Sequence, residues 1–301
     1  MRVLIVAVNL EMFVFEQYSA LRKAGVDIIT YKVSGHGVFG YLREAFKLRK
    51  VVKRTRPDLV HAHYGLSGLC ANFQRSVPVV TTFHGSDVHS GGWIRKLSQL
   101  AMRLSVYNIF VGHKLYKLSG YKKSNVSIIP CGTDLETIKP IDRAEAKEMV
   151  GKRNTFVLFA GSFARKIKNP ELAKESVAKL PQVELVELSG YKRAEVNLLM
   201  NAADCLLVTS HREGGPLVVK EAMACGTPIV SVDVGDVKEV IGKTAGCYIA
   251  ERNADDIAEK IKMALAFRGK TEGRQRIVEL GLDNNQIAKR IIDIYKQCLK
   301  S

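Results

Sequence analysis

The sequence contains no apolar run long enough to cross a bilayer, which takes about 20 consecutive residues in a helix. Its opening, MRVLIVAVNLEMF, has one arginine and an apolar run, but Glu11 and Glu16 follow without a small-residue cleavage site. This pattern favours an opening strand over a signal peptide. We therefore expect a cytoplasmic protein.

Cysteine pairs, repeats and biased segments are also missing. The six cysteines show no CxxC pair and no framework spacing, which favours reduced thiols over disulfides or structural zinc. No repeat of about 20 to 50 residues and no low-complexity tract occurs. With 301 residues, and roughly 150 residues to a domain, the chain is expected to form two compact domains.

Acidic residues are scarce in the first half of the chain. Residues 1–140 hold 20 Lys/Arg against 8 Asp/Glu, and the whole chain has a net charge of +16. Such an excess predicts a negatively charged partner. Nucleic acid is disfavoured, because no helix-turn-helix, zinc finger or aromatic stacking motif accompanies the charge.

One basic stretch leaves two interpretations open. REAFKLRKVVKRTR, residues 43–56, has seven basic residues and one acid. Apolar residues are interleaved at helical intervals: Leu42, Phe46, Leu48, Val51 and Val52. A helix of this kind can dock reversibly on an anionic membrane, where each Lys or Arg contributes about 1 kcal/mol. The alternative is a surface helix whose apolar stripe packs on a sheet, and the two can coexist.

Short apolar stretches alternate with helical patterns along the whole chain, which is typical of parallel α/β sheets. The stretches are residues 3–8, 26–33, 59–64, 77–85, 108–112 and 126–130, then 155–162, 183–190, 204–210, 228–235 and 246–250. Pro, Gly and charges interrupt the pattern at residues 130–154. We predict two doubly wound α/β domains facing a cleft, residues 1–140 and 141–301, with the last amphipathic segment able to pack back on the first.

Ligands of open α/β sheets bind beyond the carboxyl ends of the strands, so the loops there are the candidate sites. The clearest is HREGGPLVVKEAMACGTPIV, residues 211–230, where a strand ends, a Gly-Gly-Pro turn follows and a helix begins. Backbone N–H groups of Gly214, Gly215 and Leu217, together with the helix dipole, predict a phosphate or diphosphate site.

Two glutamates flank this turn. Glu221 lies one turn into the helix, where a carboxylate repels phosphate but can accept hydrogen bonds from ribose hydroxyls. Glu213, within the turn, is expected to contact the group on the other side of the diphosphate. The spacing alone fits equally well a helix start with one acid near the dipole and the other in solvent.

The stretch EGGPLVVKE, followed by AMACGTPIVSVDVGDVKEVI, resembles the E-x7-E block of retaining GT-B glycosyltransferases of family four, the group 1 type of bacterial polysaccharide biosynthesis. Further matching pieces follow the family's order through both halves: HAHYGLSG (61–68), TTFHGSDV (81–88), IIPCGTDLE (128–136), GSFARKIKNP (161–170) and AADCLLVTS (202–210). The resemblance implies a GT-B fold and transfer of a hexosyl-type sugar from a nucleotide diphosphate sugar to an acceptor hydroxyl. It also implies retained configuration, with no metal and no cofactor.

The resemblance assigns roles to single residues. It implies that Glu213 and His84 are catalytic at the transferred sugar, that Glu221 binds the ribose and that Lys168 binds the diphosphate. A cation on the leaving diphosphate matters more where no metal assists. The implied acceptor is a glycan or lipid-linked glycan, which would place the enzyme peripherally at the inner face of the cell membrane.

The sequence departs from the family in two loops. The family usually has an arginine six residues before Lys168, where this chain has Ser162, with Arg165 and Lys166 as the nearby substitutes for donor binding. These cations could instead form a solvated basic loop. Residues 9–17, NLEMFVFEQ, replace a glycine pair common in relatives. Both departures motivate the alternative of a non-catalytic nucleotide- or membrane-binding module.

Two other patterns are given less weight. GHGVFG, residues 35–40, matches the GxGxxG fingerprint of dinucleotide-binding Rossmann dehydrogenases. In that fingerprint an acid that binds the ribose lies at the end of a strand, whereas Asp58 precedes one, so a flexible loop is preferred for residues 35–40. His61 and His63 face one side of a strand and could share a metal. No local Cys or carboxylate completes a ligand set, so hydrogen-bonded histidines are preferred.

Overall fold

The computed structural model describes residues 1–8, 12–35 and 37–300. The first three residues of the NLEMFVFEQ stretch and His36 of the GHGVFG stretch lie outside the described residues, and the rest of the NLEMFVFEQ stretch is helical. The chain divides into two compact units, the first comprising residues 1–132 and 284–301 and the second residues 133–283. Within the described ranges, no helix has the length and apolar character that a membrane crossing needs.

The first unit contains a six-stranded parallel sheet in the order β2-β1-β3-β4-β5-β6. Its strands are β1 (Arg2–Ala7), β2 (Asp27–Lys32), β3 (Leu59–His63), β4 (Val79–Phe83), β5 (Tyr107–Phe110) and β6 (Val126–Ile128). Its helices before residue 132 are α1 (Met12–Lys23), α2 (Gly37–Thr55), α3 (Gly65–Asn72), α4 (Ser86–His89), α5 (Gly92–Leu104) and α6 (His113–Ser119). The strand order reverses at β1, as in other doubly wound sheets.

The inner strands β1, β3 and β4 are buried over nearly their whole length, because helices cover both faces of this sheet. β1 directs Leu4 and Val6 to the face that α2 and α3 cover, and Val3 and Ile5 to the face that α1 covers. Alternate residues of one strand thus enter two separate cores.

The second unit contains a five-stranded parallel sheet in the order β11-β10-β9-β7-β8. Its strands are β7 (Phe156–Phe159), β8 (Glu184–Glu187), β9 (Cys205–Val208), β10 (Ile229–Val232) and β11 (Cys247–Ala250). Its helices are α7 (Arg143–Met149), α8 (Pro170–Ala178), α9 (Arg193–Ala202), α10 (Leu217–Cys225), α11 (Val237–Ile241), α12 (Ala254–Ala266) and α13 (Gly273–Glu279). All of the strands in both units overlap the stretches predicted from the sequence, so the two-domain α/β fold is confirmed.

The last helix, α14 (Asn284–Lys300), belongs to the first unit. Ile287, Ile291 and Ile294 pack with α1 in the core on the Val3 face of the sheet. Tyr295 is fully buried there, with its hydroxyl 2.5 Å from Nδ1 of His61. The amphipathic pattern predicts this helix, but the choice of unit depends on these contacts, which a helical period alone does not specify.

The first division between the units falls after residue 132, earlier than the predicted 140. Residues 133–141 are held to the second unit by side chains far along the chain. Arg274 donates to the carbonyls of Leu135 and Ile138 at 2.8 and 2.9 Å, and Asn201 accepts from the Ile141 N–H at 2.7 Å. Such distant partners leave no mark on the local Pro and Gly pattern from which the boundary was predicted.

Helix α2 contains the basic stretch, and its apolar residues occupy two faces. Leu48 and Val52 enter the core on the Leu4 face of the sheet, together with Ala45. Leu42 and Phe46 remain 40% and 68% exposed. Both interpretations of this stretch therefore retain support, because one apolar stripe packs inward and another faces solvent.

The GHGVFG stretch is largely helical. Its residues 37–40 form the first turn of α2, so the loop preferred for them is wrong. Gly35 lies so close to Gly40 that a Cβ added to Gly35 would be 2.6 Å from the Gly40 carbonyl. Glycine is needed at position 35 because any side chain there would collide with the backbone of Gly40 in the first turn of α2.

Candidate functional site

Two loops at the carboxyl ends of paired strands bring together the predicted residues of the second unit. The loop after β7 carries Lys168 and the loop after β9 carries Glu213, and β7 and β9 are neighbours in the sheet. The His211 N–H donates to the carbonyl of Ile167 at 2.9 Å, and Thr209 Oγ1 donates to the carbonyl of Lys168 at 3.0 Å. These bonds fix one loop against the other.

Lys168 and Glu213 form an ion pair, with Nζ 2.6 Å from Oε1. The two side chains are only 14% and 15% exposed. A Cβ added to Gly161 would lie 3.1 Å from Cγ of Lys168, so the glycine makes room for the lysine stem. Arg165 and Lys166 are exposed instead. The solvated-loop alternative thus fits these two residues but not Lys168.

Ser162, which stands where the family usually has arginine, is a turn residue. Its Oγ accepts a hydrogen bond from the Ala164 N–H at 3.2 Å, and its carbonyl accepts one from the Arg165 N–H at 3.1 Å. The side chain stabilises the turn after β7 and contributes no charge. Lys168 is the cation of this loop that pairs with Glu213.

Helix α10 begins at Leu217, directly after Gly214, Gly215 and Pro216. Within the described part of the chain, no side chain caps its first turn. The first N–H groups of a helix have no partner inside the helix, and they lie at the positive end of its dipole. N–H groups of this kind can bind an anion, and the phosphate or diphosphate site at the Gly-Gly-Pro turn stays a prediction.

A buried ion pair that the E-x7-E motif does not predict packs against the Gly-Gly-Pro turn. Lys220, fully buried in α10, donates to Oδ2 of Asp236 at 2.8 Å. A Cβ added to Gly215 would be 2.9 Å from the same oxygen. Gly235, at φ 58°, packs closely on Pro216, where a Cβ would lie 3.1 Å from Cδ. The sequence signal for this pair is Lys220, which lies beside Glu221 in a helix whose other residues are apolar, because a buried lysine needs an acidic partner.

Glu221 is buried in α10 and paired with Arg193. It is 5% exposed, and its Oε1 accepts a hydrogen bond from Nη1 of Arg193, the first residue of α9. Burial raises the pKa of Glu221, while Arg193 and then Lys220 oppose that shift. An acid in solvent, the alternative open from the spacing, does not describe this residue.

His84 lies in the first unit, in the loop after β4, among other rings. Its Nε2 is 3.0 Å from Nδ1 of His63, and its ring centre is 4.7 Å from that of Phe13 and 4.8 Å from that of Tyr64. Burial lowers the pKa of His84 well below its usual value. The ring is therefore neutral near pH 7, so it can donate and accept hydrogen bonds but supplies no charge.

Asp87 fixes the backbone around His84. Its carboxylate accepts hydrogen bonds from the N–H groups of Gly85 at 2.9 Å, Gly65 at 3.2 Å and His84 at 3.4 Å. It thereby joins the loop after β4 to the start of α3. Burial raises the pKa of Asp87 to about 6, against the effect of these bonds. In the sequence, Asp87 could have been recognised as a supporting residue from the GSD stretch (85–87) that directly follows His84.

His61 and His63, the pair considered for a metal, are hydrogen-bonded to protein groups. His61 contacts Tyr295 through Nδ1 and Thr82 Oγ1 through Nε2 at 2.7 Å, and His63 contacts His84. Among the residues that the structure describes, no group of three or more His, Cys, Asp or Glu side chains is arranged to hold a metal ion.

Comparison with known families assigns both halves of the chain. Residues 9–137 match the model of glycosyltransferase family 4, and residues 152–281 match that of glycosyl transferases group 1. The chain belongs to the family 4-like GT-B glycosyltransferases. His84 lies within the first matched range, and Lys168, Glu213 and Glu221 lie within the second.

The relatives include D-inositol 3-phosphate glycosyltransferase of Mycobacterium sp. (strain KMS), 27% identical over 273 residues. That alignment covers 74% of this chain and 62% of the relative, so the chain spans about three fifths of this relative's length.

Two solved structures support the fold. Sucrose-phosphate synthase from Thermosynechococcus elongatus has a TM-score of 0.85 at 17% identity, covering 99% of this chain and 98% of that one. HepE from Anabaena, solved in complex with UDP, has a TM-score of 0.78 at 15% identity, covering 99% of this chain and 100% of that one. At these identities the likeness concerns the fold, which is GT-B.

The close contact of Gly215 with Asp236 yields a first prediction. Gly215→Ala should displace Asp236 from Lys220 and leave a buried ammonium poorly paired, which should lower the free energy of unfolding by about 2–3 kcal/mol. Chemical denaturation followed by circular dichroism measures the change. Gly91→Ala is the matched control, because a Cβ at Gly91 meets nothing within 4 Å. Equal stability of the two variants would contradict this packing.

Proposed function

We propose that this protein is a glycosyltransferase that moves a hexosyl-type sugar from a nucleotide diphosphate sugar to an acceptor hydroxyl, with retention of configuration and without a metal ion. The observation that carries the proposal is the arrangement around the start of α10. Lys168, the uncapped helix end and the buried Glu221 offer in one place the partners of a diphosphate and a ribose. The complex of the structural neighbour HepE with UDP supports a nucleotide donor.

In the proposed donor complex, the diphosphate binds the N–H groups at Gly214, Gly215 and Leu217. Lys168 contacts the diphosphate and keeps Glu213 as a second partner, since an ammonium has three protons to donate. Charge-assisted hydrogen bonds of this kind are shorter and stronger than neutral ones. Glu221 accepts hydrogen bonds from the ribose hydroxyls.

The proposed reaction breaks the bond between the anomeric carbon and the diphosphate oxygen and forms one from that carbon to the acceptor oxygen. The acceptor proton passes to the departing phosphate oxygen on the same face of the sugar, which retains the configuration. Lys168 and the helix dipole stabilise the negative charge that develops on the leaving group, so no metal or cofactor is needed. Glu213 and the neutral His84 position and stabilise the sugar through hydrogen bonds.

Turnover of a donor tests the enzyme proposal. We expect one of a panel of UDP-, GDP- and other nucleotide sugars to release its nucleotide in the presence of membrane acceptors, and to do so equally in EDTA. Glu213→Gln should lower the rate about 100-fold or more, and Glu221→Ala should weaken donor binding about tenfold.

Glu148→Gln, at an exposed position on α7, is the matched control and should leave turnover unchanged. Failure of every donor to turn over would favour the binding-module alternative. A rate that EDTA abolishes would remove the metal-independent mechanism.

The acceptor we propose is a glycan or lipid-linked glycan, reached by docking of the first unit on the inner face of the cell membrane. Helices α2 and α5 carry the apolar residues for this docking. α3 packs against both helices. The exposed apolar residues, which together define the α2–α5 surface, are Leu42, Phe46, Trp93, Leu100 and Leu104.

Charge complementarity supports an anionic lipid partner for the α2–α5 surface. Residues 35–133 contain 15 Lys/Arg and three acids, Glu44, Asp58 and Asp87. Glu44 is buried and pairs with the half-exposed Lys47 at 2.7 Å, so it offsets one of these charges and leaves a large basic excess. Exposed aromatic and leucine side chains among Lys and Arg are the composition of helices that lie in a membrane interface.

Sedimentation with lipid vesicles tests this docking. We expect binding to vesicles that contain phosphatidylglycerol and little binding to pure phosphatidylcholine. Lys50→Glu with Lys53→Glu should weaken binding about tenfold or more, because each basic residue near the surface contributes about 1 kcal/mol. The control, Lys289→Glu with Lys296→Glu, makes the same charge change at exposed sites of α14. Equal losses in both variants would contradict a specific surface.

A further inference from the structure

We propose that Arg193 is a positioning residue for the nucleotide, which holds one oxygen of the Glu221 carboxylate and leaves the other directed at the ribose hydroxyls. This inference rests on the proposed donor site, and it adds a residue from outside the E-x7-E motif. Arg193 precedes Glu221 by 28 residues and belongs to a different helix.

The start of α9 fixes where Arg193 lies. The Lys192 N–H donates to Oε2 of Glu195 at 2.6 Å, which ties the residue before α9 to the first turn of the helix. Arg193 is the next residue, and its side chain is only 18% exposed. Helix α9 packs on α10, so the guanidinium reaches the carboxylate from a rigid base.

The Glu221 carboxylate is only half occupied by this contact. Arg193 bonds Oε1, and no donor among the described residues bonds Oε2. A carboxylate has about four lone-pair sites on its two oxygens. The second oxygen thus remains available, and the contact to Arg193 limits the directions in which it can point.

Arg193 also favours the ionised form of Glu221. Burial alone raises the pKa of this carboxyl group, and Arg193 is the larger of the two opposing effects. Lys220, the smaller one, is already engaged with Asp236 at 2.8 Å. Because an ionised carboxylate accepts stronger hydrogen bonds than a neutral acid, loss of Arg193 should weaken ribose binding most at low pH.

The test compares ribose with deoxyribose at each pH. Calorimetry measures the affinity for UDP, GDP and ADP and for the 2′-deoxy form of each, across about pH 5 to pH 8. The ratio of ribo to deoxy affinity cancels the titration of the phosphate, which the two ligands share. Wild type should prefer the ribonucleotide throughout this range.

Arg193→Met should lower the ribonucleotide affinity about tenfold while changing the deoxynucleotide little. Its ribose preference should fall further as pH falls, because the carboxyl group becomes protonated at higher pH than in wild type. Arg193→Lys should restore most of the preference. Glu221→Gln should lack the preference at every pH.

The double variant Arg193→Met with Glu221→Gln guards against a folding defect caused by breaking the Arg193–Glu221 pair, because it removes the charges of both partners. It should match Glu221→Gln alone in ribose preference. Equal losses for ribo and deoxy ligands in Arg193→Met, independent of pH, would show a structural role and overturn the inference. Binding of the nucleotides without any ribose preference in wild type would also overturn it, while no binding at all would overturn the proposed function itself.

Discussion

The burial of charge beside helix α10 is the constraint on which the candidate site depends. A carboxylate or ammonium removed from water is costly unless an opposite charge accompanies it. Three ion pairs meet this requirement around one Gly-Gly-Pro turn: Lys168 with Glu213, Arg193 with Glu221, and Lys220 with Asp236. Each pair joins two segments that are distant in the sequence. The contacts that neutralise the buried charges therefore also hold the turn in place.

The three pairs differ in burial and in what they contact. Lys220 and Asp236 are the most deeply buried pair. Their ion pair holds Asp236 directly against Gly215 and so stabilises the shape of the turn. The other two pairs are more exposed and include the residues assigned to the donor. The first unit contributes no comparable charge at His84, where burial keeps the ring neutral. In the proposed mechanism, Lys168 and the start of α10 therefore stabilise the leaving group.

Local patterns predicted the strands and the motif residues but not their partners. The strands were predicted correctly because each is part of a short stretch rich in apolar and β-branched residues that alternates with helical patterns. Glu213 and Glu221 were found because glycines mark the turn between them. Arg193 and Asp236 were missed, since ion pairs between distant segments have no local period. The unit to which α14 belongs was likewise left open, because burial of Tyr295 against His61 depends on tertiary contact.

A crystal structure of the protein with a bound nucleotide diphosphate would show whether the start of α10 is the donor site. We expect diphosphate oxygens within hydrogen-bonding distance of Lys168 Nζ and of the first N–H groups of α10. We also expect a ribose hydroxyl on Oε2 of Glu221, with Arg193 still bonded to Oε1. A nucleotide bound elsewhere, or one whose ribose is turned away from Glu221, would contradict this donor site.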